Sequence, residues 1–279
     1  MKKILLLLLY ASMTLFAYVD ADLDGVDDSV DKCPNTPFME LVDIDGCTKK
    51  VLVPKYKKHH FDIIVGANFS TSDYASLSQT DTLSTSLQLD YYYDNFSLQL
   101  SGSYYKMQSD LYSNEGFNDS FVGVAYSLKK EGLVMRFGLG ALLPTYDAAL
   151  NNNKTDYSAS LNVSYAIKNF NIFGGTIYTK IEDEDVILQD SSGNTYSYIY
   201  QDTVALSGGA GYYFTKSLYG SLSYSRSQSV YSNLEDIETL SLYGYKSIDQ
   251  NWFVTLFYAY GLSESASDHA LSVKLGYYF

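Results

Sequence analysis

Six aspartates fall within the thirteen residues from Val19 to Asp31, and three of them alternate ahead of a glycine. Asp20, Asp22, Asp24, Gly25 and Asp31 keep the spacing D-x-D-x-D-G-x5-acid of a calcium loop. The chemistry is that of a hard cation. Ca2+ takes six to eight oxygens at one centre, and alternate carboxylates on a curling loop converge on one ion. Gly25 permits the sharp turn. The backbone carbonyl of Val26 is placed as a further ligand, and Asp28 acts directly or through water. The last position is Asp where helix–loop–helix calcium sites carry Glu, and no flanking helix pattern is evident. A merely solvated acidic segment is the competing reading.

The stretch "DADLDGVDDSVDKCPNTP" resembles the thrombospondin type 3 repeat, D-x-D-x-D-G-x-x-D-x-x-D-x-C-P, at Asp20, Asp22, Asp24, Gly25, Asp28, Asp31, Cys33 and Pro34. "VDIDGC" at 42–47 is similar to the closing half of that repeat in OmpA-like outer-membrane proteins. The resemblance implies calcium binding. In that family the repeat commonly links a barrel to a periplasmic domain, whereas here it precedes the long tyrosine-rich region.

The segments around this loop set its compartment. "MKKILLLLLYASMTLFA" has a basic start, an apolar run and a small residue at Ala17, the layout of a secretory signal peptide over 1–17. The run is short for a membrane-spanning helix. Cys33 and Cys47 lie close together in a chain expected to be exported, so they are expected to form a disulfide. The net charge of −13 argues against a nucleic-acid partner, which needs a basic surface. Residues 18–50 form the acidic calcium-binding segment. "VLVPKYKKHH" at 51–60 is a basic linker, where Lys55, Lys57, Lys58, His59 and His60 are placed to meet lipid phosphates.

From Phe61 the chain alternates. Leu83, Leu87, Leu89, Tyr91 and Tyr93 share one parity, and Ser84, Ser86, Gln88 and Asp90 share the other. Asp94-Asn95 then turns the chain, and Phe96, Leu98 and Leu100 alternate with Ser97, Gln99 and Ser101. Similar segments at 61–70, 82–93, 96–106, 118–128, 133–143, 156–167, 170–181, 197–214, 218–228, 237–247, 251–262 and 269–279 predict about twelve strands, with ten to fourteen open. The connections alternate between short (Asp94-Asn95, 129–132, Lys168-Asn169, 215–217, 248–250) and long. An even number of strands with short turns at one end is the pattern of an outer-membrane barrel. The expectation is an all-β, closed antiparallel transmembrane barrel over 61–279, preceded by a small calcium-binding module on the periplasmic side.

Aromatic residues gather near the expected short turns: Tyr91, Tyr93, Phe96, Phe170, Tyr212, Phe214, Tyr219, Trp252, Tyr277 and Phe279. They predict one interfacial girdle; Tyr104, Tyr157, Tyr178, Tyr198 and Tyr258 predict the other. "HALSVKLGYYF" ends on Phe279 and resembles the C-terminal signal read by the machinery that inserts bacterial outer-membrane barrels. The partners implied are that machinery, outer-membrane lipid and lipopolysaccharide. The acidic loops at 182–190 and 235–238 are candidates for divalent-cation bridging to lipopolysaccharide phosphates.

Catalysis finds little footing. The three histidines are His59, His60 and His269, and Ser272 falls on the opposite strand face from His269. About twelve strands enclose more space than side chains fill. The expected lumen positions are mostly small and polar, with Asp90, Arg136 and Lys274 as selectivity charges. A narrow passive channel for small solutes is the leading expectation. A non-conducting structural or adhesive barrel that stabilises the outer membrane is the alternative.

Overall fold

The computed structural model describes Asp22, residues 31–33, Cys47, and residues 59–73, 79–110, 112–146, 154–189 and 195–279. The expected leader, the linker lysines and the candidate ligands Asp20, Asp24, Val26 and Asp28 lie outside these residues. The chain divides into two units, Met1–Lys57 and Lys58–Phe279. In the first, Cys33 and Cys47 are joined in a disulfide with Cα atoms 5.0 Å apart.

The second unit is built from alternating sequence. Long strands form because β-branched and aromatic residues at every other position pack on a pleated surface, with serine or glycine between them. In chain order they are β1 (His59–Ser72), β2 (Thr80–Tyr93), β3 (Phe96–Ser109), β4 (Ser113–Phe117), β5 (Ser120–Lys130), β6 (Leu133–Leu143), β7 (Asp156–Ile167), β8 (Phe170–Lys180), β9 (Val186–Gln189), β10 (Thr195–Tyr198), β11 (Thr203–Thr215), β12 (Leu218–Ser227), β13 (Ile237–Ser247), β14 (Trp252–Gly261) and β15 (His269–Tyr278). Twelve of them form one antiparallel ring in which β1 pairs with both β2 and β15. The fold is therefore a closed twelve-stranded, all-β barrel. The other three extend loops: β4 pairs with the far end of β3, and β9 and β10 form a separate hairpin.

The seam between β1 and β15 runs in unbroken register from Asp62 opposite Tyr278 to Thr71 opposite His269. Phe61 and Phe279 exchange both backbone hydrogen bonds, at 2.9 and 3.0 Å, and their rings stack at 5.7 Å. The short turns sit beside this end. Glu131 and Gly132 both have positive φ, the two-residue turn whose twist matches the flanking strands. A side chain at Gly132 would also meet the Ala166 carbonyl at 2.9 Å. Asp249 organises another turn by accepting from the backbone N–H groups of Asn251 and Trp252, which hold its carboxyl below the usual range.

Apolar side chains face outward. Leu139, Leu242 and Leu206 are more than half exposed, and among the described residues no large side chain is fully buried. That inversion of a soluble core is what a lipid-facing wall requires. Tyr91, Tyr93, Phe96, Phe170, Tyr212 and Trp252 lie on the outward face near the short turns, and Tyr104, Tyr157, Tyr178 and Tyr258 near the long loops. Tyr219 differs from expectation. It faces inward beside Tyr213, because it shares the parity of Ser221, Ser223 and Ser225 along β12. Tyr198 belongs to the loop hairpin and not to the wall: the single strand expected over 197–214 is broken between β10 and β11.

The acidic loops are stitched by local partners. Lys154 pairs with Glu184 and holds its carboxyl below the usual range. Lys180 pairs with Glu182, and Arg226 with Asp236 and Glu238. Glu235 accepts from the backbone N–H of Glu264 at 2.5 Å.

The barrel lumen as candidate functional site

Strand register decides what the lumen contains. Asp62 sits directly opposite Asp90, Asn68 opposite both Ser84 and Ser272, and Arg136 opposite both Ser127 and Asn162. The expected lumen set of Ser84, Ser86, Gln88, Asp90, Ser97, Gln99, Ser101, Arg136, Ser158, Ser160, Asn162, Ser164, Ser272 and Lys274 all falls on this inner face. His60, placed by sequence in the linker, begins the same face of β1 and stacks on Tyr92 at 4.4 Å. His269 lies on the outer face, accepting from or donating to the Tyr258 hydroxyl at 2.9 Å, and Ser272 on the inner.

Among the described residues, side chains leave three adjoining hollows along the inner face. The largest, about 640 Å³, reaches from Gln88 and Lys274 toward the long-loop end. A second, about 280 Å³, lies against Asp90, Arg136 and Asn162 and shares Gln88 with the first. A third, about 370 Å³, opens near the short turns among His60, Asp62 and Asn251. Phe253 and Tyr245 line both the first and the third, and Tyr92 lines both the second and the third. These rings are therefore the partitions.

Polar wall groups are tied laterally. Ser272 donates to Asn68 Oδ1 at 2.6 Å, and Asn68 Nδ2 donates to Ser84 Oγ at 3.2 Å, bracing β15, β1 and β2. Gln88 donates to Asp90 at 2.8 Å, and Arg136 donates to Ser97 at 2.9 Å. Asp90 is only 6% exposed, and Arg136 and Lys274 both act on it through space. Yet every ion pair among the described residues lies at the long-loop rim, so Asp62, Asp90, Arg136 and Lys274 carry charge on the wall without a bonded counter-charge.

The expectation of a lumen lined by small uncharged groups missed its aromatic content. Phe121, Tyr219 and Phe253 all point inward, and each lies over a glycine. A Cβ at Gly140 would meet the Phe121 ring at 2.4 Å, one at Gly211 the Tyr219 hydroxyl at 2.1 Å, and one at Gly276 the Phe253 ring at 2.1 Å. Aromatic rings covering glycines on adjacent strands stabilise a curved sheet and fill space that would otherwise be open. Inward glycines across from aromatic positions are the sequence signal for this, but it can be read only once register is known.

The comparisons with known proteins bear on this architecture. A family model described as "Putative MetA-pathway of phenol degradation" matches residues 98–279. The chain belongs to that family. The match starts two residues into β3, so it includes Arg136, Phe253 and Lys274 but not Asp62 or Asp90. Family membership and the lipid-facing wall identify this chain as an outer-membrane β-barrel. Among solved structures, an outer-membrane channel from Pseudomonas putida F1 is similar in fold, with TM-score 0.61, 13% identity, and coverage of 79% of this chain and 95% of that one. The NanC porin is similar with TM-score 0.51, 15% identity, and coverage of 77% of this chain and 97% of that one. No curated protein matches the chain.

The glycine–aromatic stacking inside this family member is testable. Gly276→Ala forces the Phe253 ring to move and is expected to cost roughly 1–3 kcal/mol, as overpacking does. Gly244→Ala is the control: its nearest neighbours are 4.0 Å away. It should stay within about 0.5 kcal/mol. Urea unfolding in lipid vesicles measures both, and equal effects would contradict the packing described.

Proposed function

We propose that the barrel is a narrow passive channel for small solutes and not an enzyme. The observation that carries this reading is the unpaired charge on the inner wall. A carboxylate or ammonium in a dry interior without a bonded counter-charge costs several kcal/mol. Such a wall is stable when water reaches it, and a wet lumen with both signs of charge conducts. The partitions between the hollows are the side chains of Phe253, Tyr245, Tyr92 and Gln88, and side chains rotate far faster than strands separate. The two similar folds are named a channel and a porin, which agrees with this reading. The rings across the path favour a second reading, a non-conducting structural barrel. Planar-bilayer recording separates them: the wild-type barrel should conduct weakly and Phe253→Ala several-fold more, whereas two silent proteins would support the structural barrel.

We propose also that the N-terminal segment holds one Ca2+ through the carboxylates of Asp20, Asp22, Asp24 and Asp31, the Val26 carbonyl, and Asp28 directly or through water. Asp31 supports this. Its Oδ1 accepts from the backbone N–H of Cys33 at 2.7 Å, while its Oδ2 is buried with no hydrogen-bond partner among the described residues. A bare buried carboxylate oxygen is costly, and a hard cation satisfies it. The ion would join the carboxylates much as the Cys33–Cys47 bond joins two points of the segment 14 residues apart. Calorimetry on the purified protein should detect Ca2+ binding that Asp31→Asn weakens by about tenfold or more. Unchanged affinity in that variant would remove Asp31 from the site.

A further inference from the structure

The 640 Å³ hollow has a composition that the channel reading does not require. One wall, from β13 and β14, is aromatic: Tyr243, Tyr245, Phe253 and Phe257. Tyr245 and Phe253 stand 5.6 Å apart. The facing wall, from β1, β2 and β15, carries the hydrogen-bonded Ser272–Asn68–Ser84 chain. Lys274 is the one charged residue lining this hollow. Its stem lies over Gly66, where an added Cβ would meet Lys274 Cγ at 2.9 Å. No ion pair within 4.0 Å engages its ammonium among the described residues. Asp62 and Asp90 line the two adjoining hollows, not this one.

Resting on the channel reading, we propose that this hollow is a binding site on the solute path for small monocyclic aromatic anions such as an aromatic carboxylate. A flat ring gains by lying against other rings in offset or edge contact. A carboxylate gains a charge-assisted hydrogen bond from an ammonium that, among the described residues, is in no ion pair within 4.0 Å and acts on Asp90 only through space. The Asn68 and Ser272 side chains supply further polar contacts on the same side as Lys274. A volume in the range of small-molecule sites, one apolar face and one placed cation together orient such a solute: ring toward β13–β14, anion toward β15. Phe253 closes the hollow on its short-turn side, so the ring that holds the solute is also the ring that must turn to release it.

The test is equilibrium binding to the purified full-length protein in detergent, with benzoate as the probe. Acetate (charge without ring) and benzamide (ring without charge) are the comparators. Benzoate should bind more tightly than both. Lys274→Met should weaken benzoate by about tenfold or more, the loss expected for one hydrogen bond to a charged group, and leave benzamide nearly unchanged. Phe253→Leu, which keeps bulk and loses the ring, should weaken benzoate and benzamide together. Acetate matching benzoate, or benzoate unaffected by Lys274→Met in a folded barrel, would overturn the proposal. The wild-type comparison of the three probes needs no variant and decides the matter if a variant fails to fold. Because binding is read without current, the two readings fail separately. Conductance without benzoate preference removes the site and keeps the channel. Benzoate binding in a protein that never conducts keeps the site and removes the channel.

Discussion

Closure of the backbone hydrogen-bond ring is the constraint on which everything else depends. In hydrocarbon an unpaired strand edge is too costly to exist, so β1 must find β15 over its length. The reciprocal bonds of Phe61 with Phe279 mark the end of that seam. Once the ring is closed, each side chain faces either lipid or lumen, and the period of two along every strand assigns it. The same closure that turns leucines such as Leu139 and Leu242 outward brings Asp62, Asp90, Arg136 and Lys274 onto one enclosed surface from β1, β2, β6 and β15.

Much of this was legible in the sequence because alternation and turn chemistry report it locally. The strands at 133–143 and 156–167 end where expected, since Glu131-Gly132 and Lys168-Asn169 bound them, with positive φ at Glu131, Gly132 and Lys168. The inner face of β2 was readable from Ser84 to Asp90 because Leu83, Leu87, Leu89 and Tyr91 share the opposite parity. What escaped is set by register, which no single strand carries. Tyr219 reads as a girdle residue from its place near a turn, yet it pairs with the inward Tyr213, and the serines and Gly220 that dilute the pattern of β12 hide that parity in the sequence. The run 197–214 alternates without a visible break, but Tyr200 is drawn into a bridge with Tyr231 and the chain leaves the wall until Thr203. Phe121 and Phe253 fall at inward positions that polar composition elsewhere had filled with serine. Only the glycines beside them explain how the rings fit.

The lumen is thus neither an open pore nor a packed plug. Small residues on one arc and rings over glycines on another leave three hollows separated by a few side chains. On the channel reading, the charges set which solutes the path tolerates and the rings set its width. The two features come from different strands, so either can be changed without breaking the ring of hydrogen bonds that holds the barrel together.

On the proposed channel reading, a continuous but narrow aqueous path crosses the barrel, limited by aromatic side chains. Liposome swelling with a graded series of uncharged solutes measures that width directly. Vesicles carrying the wild-type protein should swell in the smallest polyols and stay unswollen in oligosaccharides. No swelling in any solute, or swelling in oligosaccharides as fast as in the smallest polyols, would contradict it.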